Sequence, residues 1–312
     1  MNPPPLCRPA VAEVLGGARL AQVAVETSTD PHVTPAAYTA AAGRLWFISS
    51  RRTVKVRSLR RRPRAGVLLR DGDRAVVVSG EVEILSPWGP AEAASTLAAA
   101  PTVSLALASY ATSNPRLLGG YLRDLLSCPL EALPYDRVLV GVRPRRGLVL
   151  VGDEIVDAWG RWRRPAPPPA GLRGRAQVTE STGAPWPVDA LPPQVARALR
   201  RRGSPVLGWM TAAGPLPLPA EWAPHGQRLL VSSAALTSTG APRTGPAAVA
   251  VDGTDGSRPT GFAGALVRGP GSVVAVRGGR ATIGVDADRI SWWVGFRSGT
   301  VRREDLGARR AA

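Results

Sequence analysis

Residues Ser49-Ser50-Arg51-Arg52-Thr53-Val54-Lys55-Val56-Arg57-Ser58-Leu59-Arg60-Arg61-Arg62-Pro63-Arg64 join a hydroxyl pair to a cation-rich amphipathic turn and a proline stop. Those residue types at that spacing suit an anion, and a phosphate above all. The helix they predict starts near Thr53 and ends at Pro63, which lacks the amide that would continue it. Free amides at a helix start point outward with the positive end of the dipole, and the Ser49, Ser50 and Thr53 hydroxyls can add donors. Arg51, Arg52 and Lys55 would supply charge-assisted bonds, the stronger class. Lys55 is the only lysine in the chain; the rest of the 40 Lys+Arg residues are arginine. An ammonium is a compact point charge and a guanidinium a planar fork, so the two are not equivalent beside a phosphate. Arg57, Arg60, Arg61, Arg62 and Arg64 read as the solvated face of the same helix.

The elements around this segment must hold it in place. Leu45 to Ser50 predicts a strand that delivers the chain to the cradle. Before it, Arg8 to Leu15 predicts a short helix ended by Gly16-Gly17, Leu20 to Glu26 a strand, and Val33 to Tyr38 its hairpin partner. After it, Ala65 to Arg70 and Ala75 to Leu85 are strands joined through Asp71-Gly72-Asp73, a strong hairpin turn. Residues 87–135 break the pattern: Ala91 to Ala100, Val103 to Ala111 and Pro115 to Leu126 are helical and read as an inserted cap. Strands resume at Arg137 to Val142, Gly147 to Val151 and Glu154 to Trp159. A proline-rich stretch, Arg163-Arg164-Pro165-Ala166-Pro167-Pro168-Pro169, then predicts an extended linker.

Beyond the linker the first half reappears. At a nearly constant offset Pro9 matches Pro193, Val11 matches Val195, Pro31 matches Pro215, Pro35 matches Pro219 and Leu45 matches Leu229. Ser49-Ser50 matches Ser232-Ser233, and Gly80 matches Gly264. Past the insert, Arg143, Arg146 and Trp159 match Arg277, Arg280 and Trp293 at a smaller offset, as if the second copy lacked the helices. The expected organisation is a first barrel at 1–160 with its insert at 87–135, a linker at 161–188, and a second barrel at 189–312. The second copy of the cradle, Ala234 to Gly240, has no charge, so one anion site per chain is expected.

Length and composition fit this division. The chain has 312 residues, enough for about two domains. Its 31 Pro and 34 Gly favour turns and short elements. A net charge of +17 raises nucleic acid, membrane surfaces and phosphorylated ligands as partners. No segment reaches the roughly eighteen apolar residues of a membrane helix, and Met1-Asn2-Pro3-Pro4-Pro5 leads into no apolar signal region, so a cytoplasmic protein without a membrane role is expected. Cys7 and Cys128 with His32 and His225 make no metal-ligand spacing.

The order of a first strand, a Pro31-His32-Val33-Thr34-Pro35 segment, a strand ending in Ser49-Ser50, a Lys55 to Pro63 helix, an apolar strand and a Val78-Ser79-Gly80-Glu81-Val82 strand resembles the pyridoxamine 5′-phosphate oxidase-like split-barrel flavoproteins. That family includes relatives using the deazaflavin coenzyme F-420. The resemblance covers residues 9–85 well and 137–160 loosely. It implies a mainly β fold (β plus α), two split β-barrels of Greek-key type in tandem with a helical insert in the first. The tandem copy would be a fused pseudo-dimer, monomeric because its partner is covalent, with one cofactor groove between the barrels. By the same resemblance Val33, Thr34 and Pro35 lie beside the flavin ring, and Ser49, Ser50, Arg51, Arg52, Thr53 and Lys55 hold the phosphate. The implied function is an FMN-dependent or deazaflavin-dependent oxidoreductase acting on a small molecule.

Two other classes stay open. One is a flavin- or haem-binding protein without turnover. The other is a basic nucleic-acid binder, which would need the interleaved exposed aromatics that this chain does not display. His32 beside Pro31 reads as an exposed loop residue, and Trp209, Trp222, Trp292 and Trp293 read mainly as core. No nucleophile elbow, P-loop or paired carboxylates support a hydrolase.

Overall fold

A computed structural model describes residues 4–86, 90–127, 136–162, 191–200, 205–212, 214–225, 228–253, 261–295 and 297–303. Most of the described residues are in two antiparallel sheets. The first contains β1 (Ala21–Glu26), β2 (Pro31–Ala36), β3 (Tyr38–Ala41), β4 (Arg44–Ser50), β5 (Arg64–Asp71), β6 (Arg74–Leu85), β7 (Arg137–Val151) and β8 (Glu154–Trp159). Its order is β2-β1-β5-β6-β7-β4-β3, with β8 on β7. The second contains β9 (Val206–Thr211), β10 (Gly214–Pro219), β11 (Glu221–His225), β12 (Arg228–Ser233), β13 (Thr244–Asp252), β14 (Ala263–Arg277), β15 (Arg280–Asp286), β16 (Arg289–Val294) and β17 (Arg297–Arg302). Its order is β10-β9-β13-β14-β15-β12-β11, with β16 on β14 and β17 on β16. Strand for strand, the first seven of each sheet follow one path. The fold is mainly β, two curled half-barrel sheets with few helices.

Alternation along each strand shows why both sheets are so apolar. Val23, Val25, Val67, Leu69, Val76, Val78 and Val149 point into the core of the first sheet with Val56 and Leu59. Their neighbours Ala24, Leu68, Ala75, Val77, Leu148 and Leu150 point the other way, into a cluster shared with Leu207, Trp209, Leu216, Leu218 and Val249 of the second sheet. The central strands are thus buried on both faces, which accounts for runs such as Val76-Val77-Val78 that show no polar alternation. The contact is reciprocal: β10 crosses β1 and β5, while β2 crosses β9 and β13. Reciprocity of this kind is what a two-fold interface requires.

The helices are α1 (Pro9–Gly17), α2 (Val54–Arg61), α3 (Pro90–Ala98), α4 (Ala100–Ser113), α5 (Pro115–Ser127) and α6 (Pro193–Arg200). Among the described residues no helix is long and apolar enough to cross a membrane. Helices α3 to α5 form the insert, and it is less separable than a cap. Trp46, Leu85 and Leu139 form a buried cluster with Ala106 of α4, with Val103 and Ala99 packed against it. Thr39 Oγ1 lies 2.6 Å from Ser109 Oγ. The buried Asn114 amide donates to Tyr38 O at 2.9 Å and Tyr110 O at 3.0 Å. The insert therefore covers apolar surface that the first sheet would otherwise expose.

Other expectations are corrected by register. The strands expected at 137–142 and 147–151 are one strand, β7, because Pro144 falls opposite Gly80 at a bulge, where no ladder amide is demanded of it. Gly80 is needed there, since a Cβ would come within 2.2 Å of Arg143 O. Following the pairings through β5, β6, β13 and β14, the counterpart of Gly80 is Gly269 rather than Gly264. Trp293 pairs Gly264 in the second sheet, as Leu150 pairs Ala75 in the first, so Trp159 and Trp293 are not equivalent. Arg277 ends β14 at the turn into β15 and is no counterpart of Arg143. Simple offsets fail here because the turns and bulges of the two sheets differ in length. The Ser49-Ser50 match slips by one: Val82 pairs Val142 and its counterpart Gly271 pairs Val285, so Val138, opposite Ser49, answers to Ala281, opposite Ser233, and the counterparts of Ser49 and Ser50 are Ser233 and Ala234. The linker expected at 161–188 lies, from residue 163 onward, outside the described residues.

Candidate functional site

A cavity of about 910 Å³ opens between the two sheets, beside the start of α2. The first sheet and α2 contribute His32, Thr34, Pro35, Ile48, Ser49, Arg52, Thr53, Lys55, Arg57 and Arg137; the insert contributes Tyr110, Leu117 and Leu118. From the second sheet come Phe262, Leu266, Arg268, Ser291, Trp292, Trp293 and Thr300. Five of the described lining residues carry a fixed or titratable cation besides His32, and none is Asp or Glu. Such a space suits a multiply charged anion with a flat apolar part.

Lys55 is the centre of the cationic end. It sits on the first turn of α2, whose other buried residues, Val56 and Leu59, anchor the helix in the core. Its side chain is only 6% exposed. The ammonium lies 5.2 Å from the Phe47 ring centroid and makes a long contact, 3.4 Å, to Pro35 O. Among the described residues no carboxylate pairs with it. Burial alone pushes its pKa down to about 7. A buried ammonium without a counter-ion is costly, and an incoming anion would repay that cost.

The hydroxyls behave differently from the sequence expectation. Thr53 is the N-cap of α2: its Oγ1 accepts from Val56 N at 3.3 Å and donates to Ser50 O at 2.9 Å. Ser50 Oγ donates to Asp136 at 3.1 Å and accepts from Arg52 N at 3.2 Å. Both hydroxyls are thus spent on fixing the turn. Ser49 Oγ lines the cavity at 3.2 Å from Thr53 Oγ1, a bond it can exchange for a ligand oxygen. Arg52 lines the cavity but is 82% exposed and paired with Asp136 at 3.3 Å. Arg51 does not line it; its amide donates to Asp136 O at 2.9 Å. Val33 is fully buried, with its side chain against Gly208 of the second sheet. Of the nine expected residues the structure brings Thr34, Pro35, Ser49, Arg52, Thr53 and Lys55 to one cavity, and leaves Val33, Ser50 and Arg51 behind its wall.

Several lining residues escaped the sequence reading. His32 lies in β2, not in an exposed loop, and its Nδ1 is buried without a partner. Burial, then Arg268 and Lys55, push its pKa down to about 3, so it is neutral and within electrostatic reach of both cations. Thr34 Oγ1 and Trp293 Nε1 are also buried without partners. Alternation in β2 already placed His32 and Thr34 on one face; Trp292, Trp293 and Arg268 join them only through sheet packing.

Residues 8–116 match the family model described as Pyridoxamine 5'-phosphate oxidase. Over that span the chain is similar to the pyridoxamine 5′-phosphate oxidase family. The matched span runs from the start of α1 through α4, so it includes the whole of α2. Among curated proteins none matches the chain. Solved structures similar to about half of it include a conserved hypothetical protein from Mycobacterium tuberculosis, 24% identical over 46% of this chain and 82% of its own, with a TM-score of 0.32. A pyridoxamine 5'-phosphate oxidase-related, FMN binding protein from Nostoc punctiforme is 18% identical over 47% and 84%, TM-score 0.34. An FAD-binding protein from Mesorhizobium loti is 18% identical over 44% and 89%, TM-score 0.33.

The second sheet has its own version of the groove, and it differs in charge. By register Pro35 corresponds to Pro219, Thr34 to Leu218 and His32 to Leu216. A cavity of about 420 Å³ there is lined by Pro219, Glu221, Trp222, Ala234, Asp73, Asp153, Arg70 and Arg280 among others. Arg280 bonds Asp153 at 2.5 Å and Glu221 at 2.6 Å, so its charge is already answered. In place of α2, the chain makes a 3-10 turn at Thr237–Thr239.

Proposed function

We propose that the chain is an oxidoreductase that holds one FMN in the larger groove, with the second sheet closing it. The observation that carries this reading is Lys55: a buried ammonium with no carboxylate partner among the described residues, lining a cavity whose described lining has no acid, within the span similar to the oxidase family. Lys55, Arg57 and Arg137 with Ser49 would hold the phosphate, which brings about −2 charge. Arg52, tied to Asp136, would close over it. Thr34, Pro35 and Ile48 would form the wall beside the ring. Thr34 Oγ1 and Trp293 Nε1, buried and unpaired, are suited to the polar edge of such a ring. The bound flavin would supply hydride transfer; the protein supplies position, charge and a dry wall. Tyr110, Leu117 and Leu118 of the insert would exclude water from one side. The deazaflavin coenzyme F-420 is the second reading, favoured by the same surplus of cations. The domain limits at 160 and 189, and a monomeric state with the two sheets as a fused dimer, belong to the same proposal.

Proton linkage gives the test. In the ligand-free chain Lys55 has a pKa of about 7 against an ordinary 10.5. Between those values the unfolded chain binds a proton that the folded chain does not, so stability rises with pH across that window and is flat below it. Phosphate binding needs the ammonium, and the phosphate itself is fully ionised above pH 7. Affinity for FMN therefore falls as pH rises from 7 to 9, by up to about tenfold per unit. Calorimetric titration across that range checks it. A flat profile, or no FMN binding at any pH, overturns the reading.

A further inference from the structure

The cavity has a further cation, supplied by the second sheet, that the phosphate cradle does not use. Arg268 enters it from β14 of the second sheet, with its side chain 13% exposed. Its Nη2 donates to Ser291 Oγ at 2.5 Å, and Ser291 Oγ lies 3.0 Å from Thr300 Oγ1. Its Nε is buried with no partner. The acidic groups nearby are largely committed elsewhere. Asp30 is 3.9 Å from Arg268 but is bonded to Arg289 and to Thr29 Oγ1, and Asp288 pairs with Arg289 at 3.8 Å and is 59% exposed. Burial works against the Arg268 charge more than Asp288 supports it. The position is particular to the second sheet, because by register its counterpart in the first is Ser79. Beside it stand Trp292 and Trp293, with Phe262 on the same wall.

We propose that Arg268, set by Ser291, forms an oxyanion subsite that takes the carboxylate or phosphate of an aromatic substrate lying against Trp293, which shares the face of β16 with Ser291. The inference rests on the flavin reading for what the substrate meets at the other end, and on the second sheet alone for the subsite. An Arg fork grips two oxygens of a planar acid, and a neighbouring aromatic wall selects a flat body. His32, a neutral lining residue that both cations act on, adds no charge to compete with either acid group. The second sheet would then supply substrate selection as well as closing the groove.

Calorimetry on the flavin-loaded chain tests it with three probes: 4-nitrobenzoate, phenyl phosphate and the neutral 4-nitrobenzamide. At least one of the two anions should bind roughly tenfold or more tighter than the amide, and the better of them identifies the acid group. Arg268→Gln should remove that preference while FMN affinity stays within about threefold of the parent. Arg268→Lys should restore part of it, and Ser291→Ala should weaken the anion severalfold without unfolding risk from a lost charge. Equal binding of amide and anions, or anion affinity unchanged in both Arg268→Gln and Ser291→Ala, overturns the subsite. If the chain takes no flavin, the same titration on the flavin-free protein separates the two ideas: Arg268-dependent anion binding sustains the subsite while the cofactor reading fails.

Discussion

Replacing Lys55 with alanine lowers FMN affinity by about ten- to a hundredfold, the loss of one charge-assisted bond worth roughly 1.5–3 kcal/mol. The same substitution raises stability of the ligand-free chain near neutral pH, because it removes a buried ammonium that no carboxylate answers. These opposite signs are the mark of a residue kept for its ligand. A lysine serving the core would lose stability and leave affinity alone. Lys55→Arg recovers only part of the affinity, since the wider fork must fit between the Phe47 ring and the Pro35 carbonyl. Fluorescence titration of the flavin and chemical denaturation, run on the same preparations, read both quantities. Unchanged affinity in Lys55→Ala refutes its role.

The second large effect concerns the contact between the sheets. Gly66 faces β10 so closely that a Cβ would lie 2.3 Å from Pro217 Cδ and 2.4 Å from Pro215 O. The obstacle is backbone and a rigid ring, so neither can swing aside. Gly66→Val should cost about 3 kcal/mol or more and push the sheets apart. Flavin binding should fall with it, because Trp293 and the second-sheet wall that closes the groove reach the cavity only through that packing. Gly72→Ala is the control: a Cβ there meets nothing, although its φ of +58° strains the turn, and the expected cost is about 1 kcal/mol with the groove intact. Denaturation midpoints and flavin affinity of the two variants decide the matter. A Gly66→Val chain that matches the parent in both contradicts the packing.

The positions of most strands along the chain, the Asp71-Gly72-Asp73 turn and the start of α2 were legible because each depends on neighbours in sequence. Pro63 stops α2, Thr53 caps it, and the alternation of Val23 to Leu69 sets the faces. The cradle was legible as a cluster of cations but not in its detail. Thr53 and Ser50 look like ligand donors until local bonds to Val56, Asp136 and Arg52 claim them. His32, Arg268, Trp292 and Trp293 were hidden for another reason. They lie on different sheets, and only the face-to-face packing at Ala24, Leu68 and Leu216 brings them to one cavity. The insert read as a loose cap because its alanine-rich helices carry little sign of the one position, Ala106, that seals Trp46.

Native mass spectrometry of the purified chain with excess FMN is the most direct test of a single asymmetric site. The account predicts one flavin on one chain: the groove at Lys55 fills, and the groove at Arg280 stays empty because Asp153 and Glu221 already hold that arginine and Asp73 adds a further acid to the lining. Two flavins per chain, or one flavin shared by two chains, would contradict it.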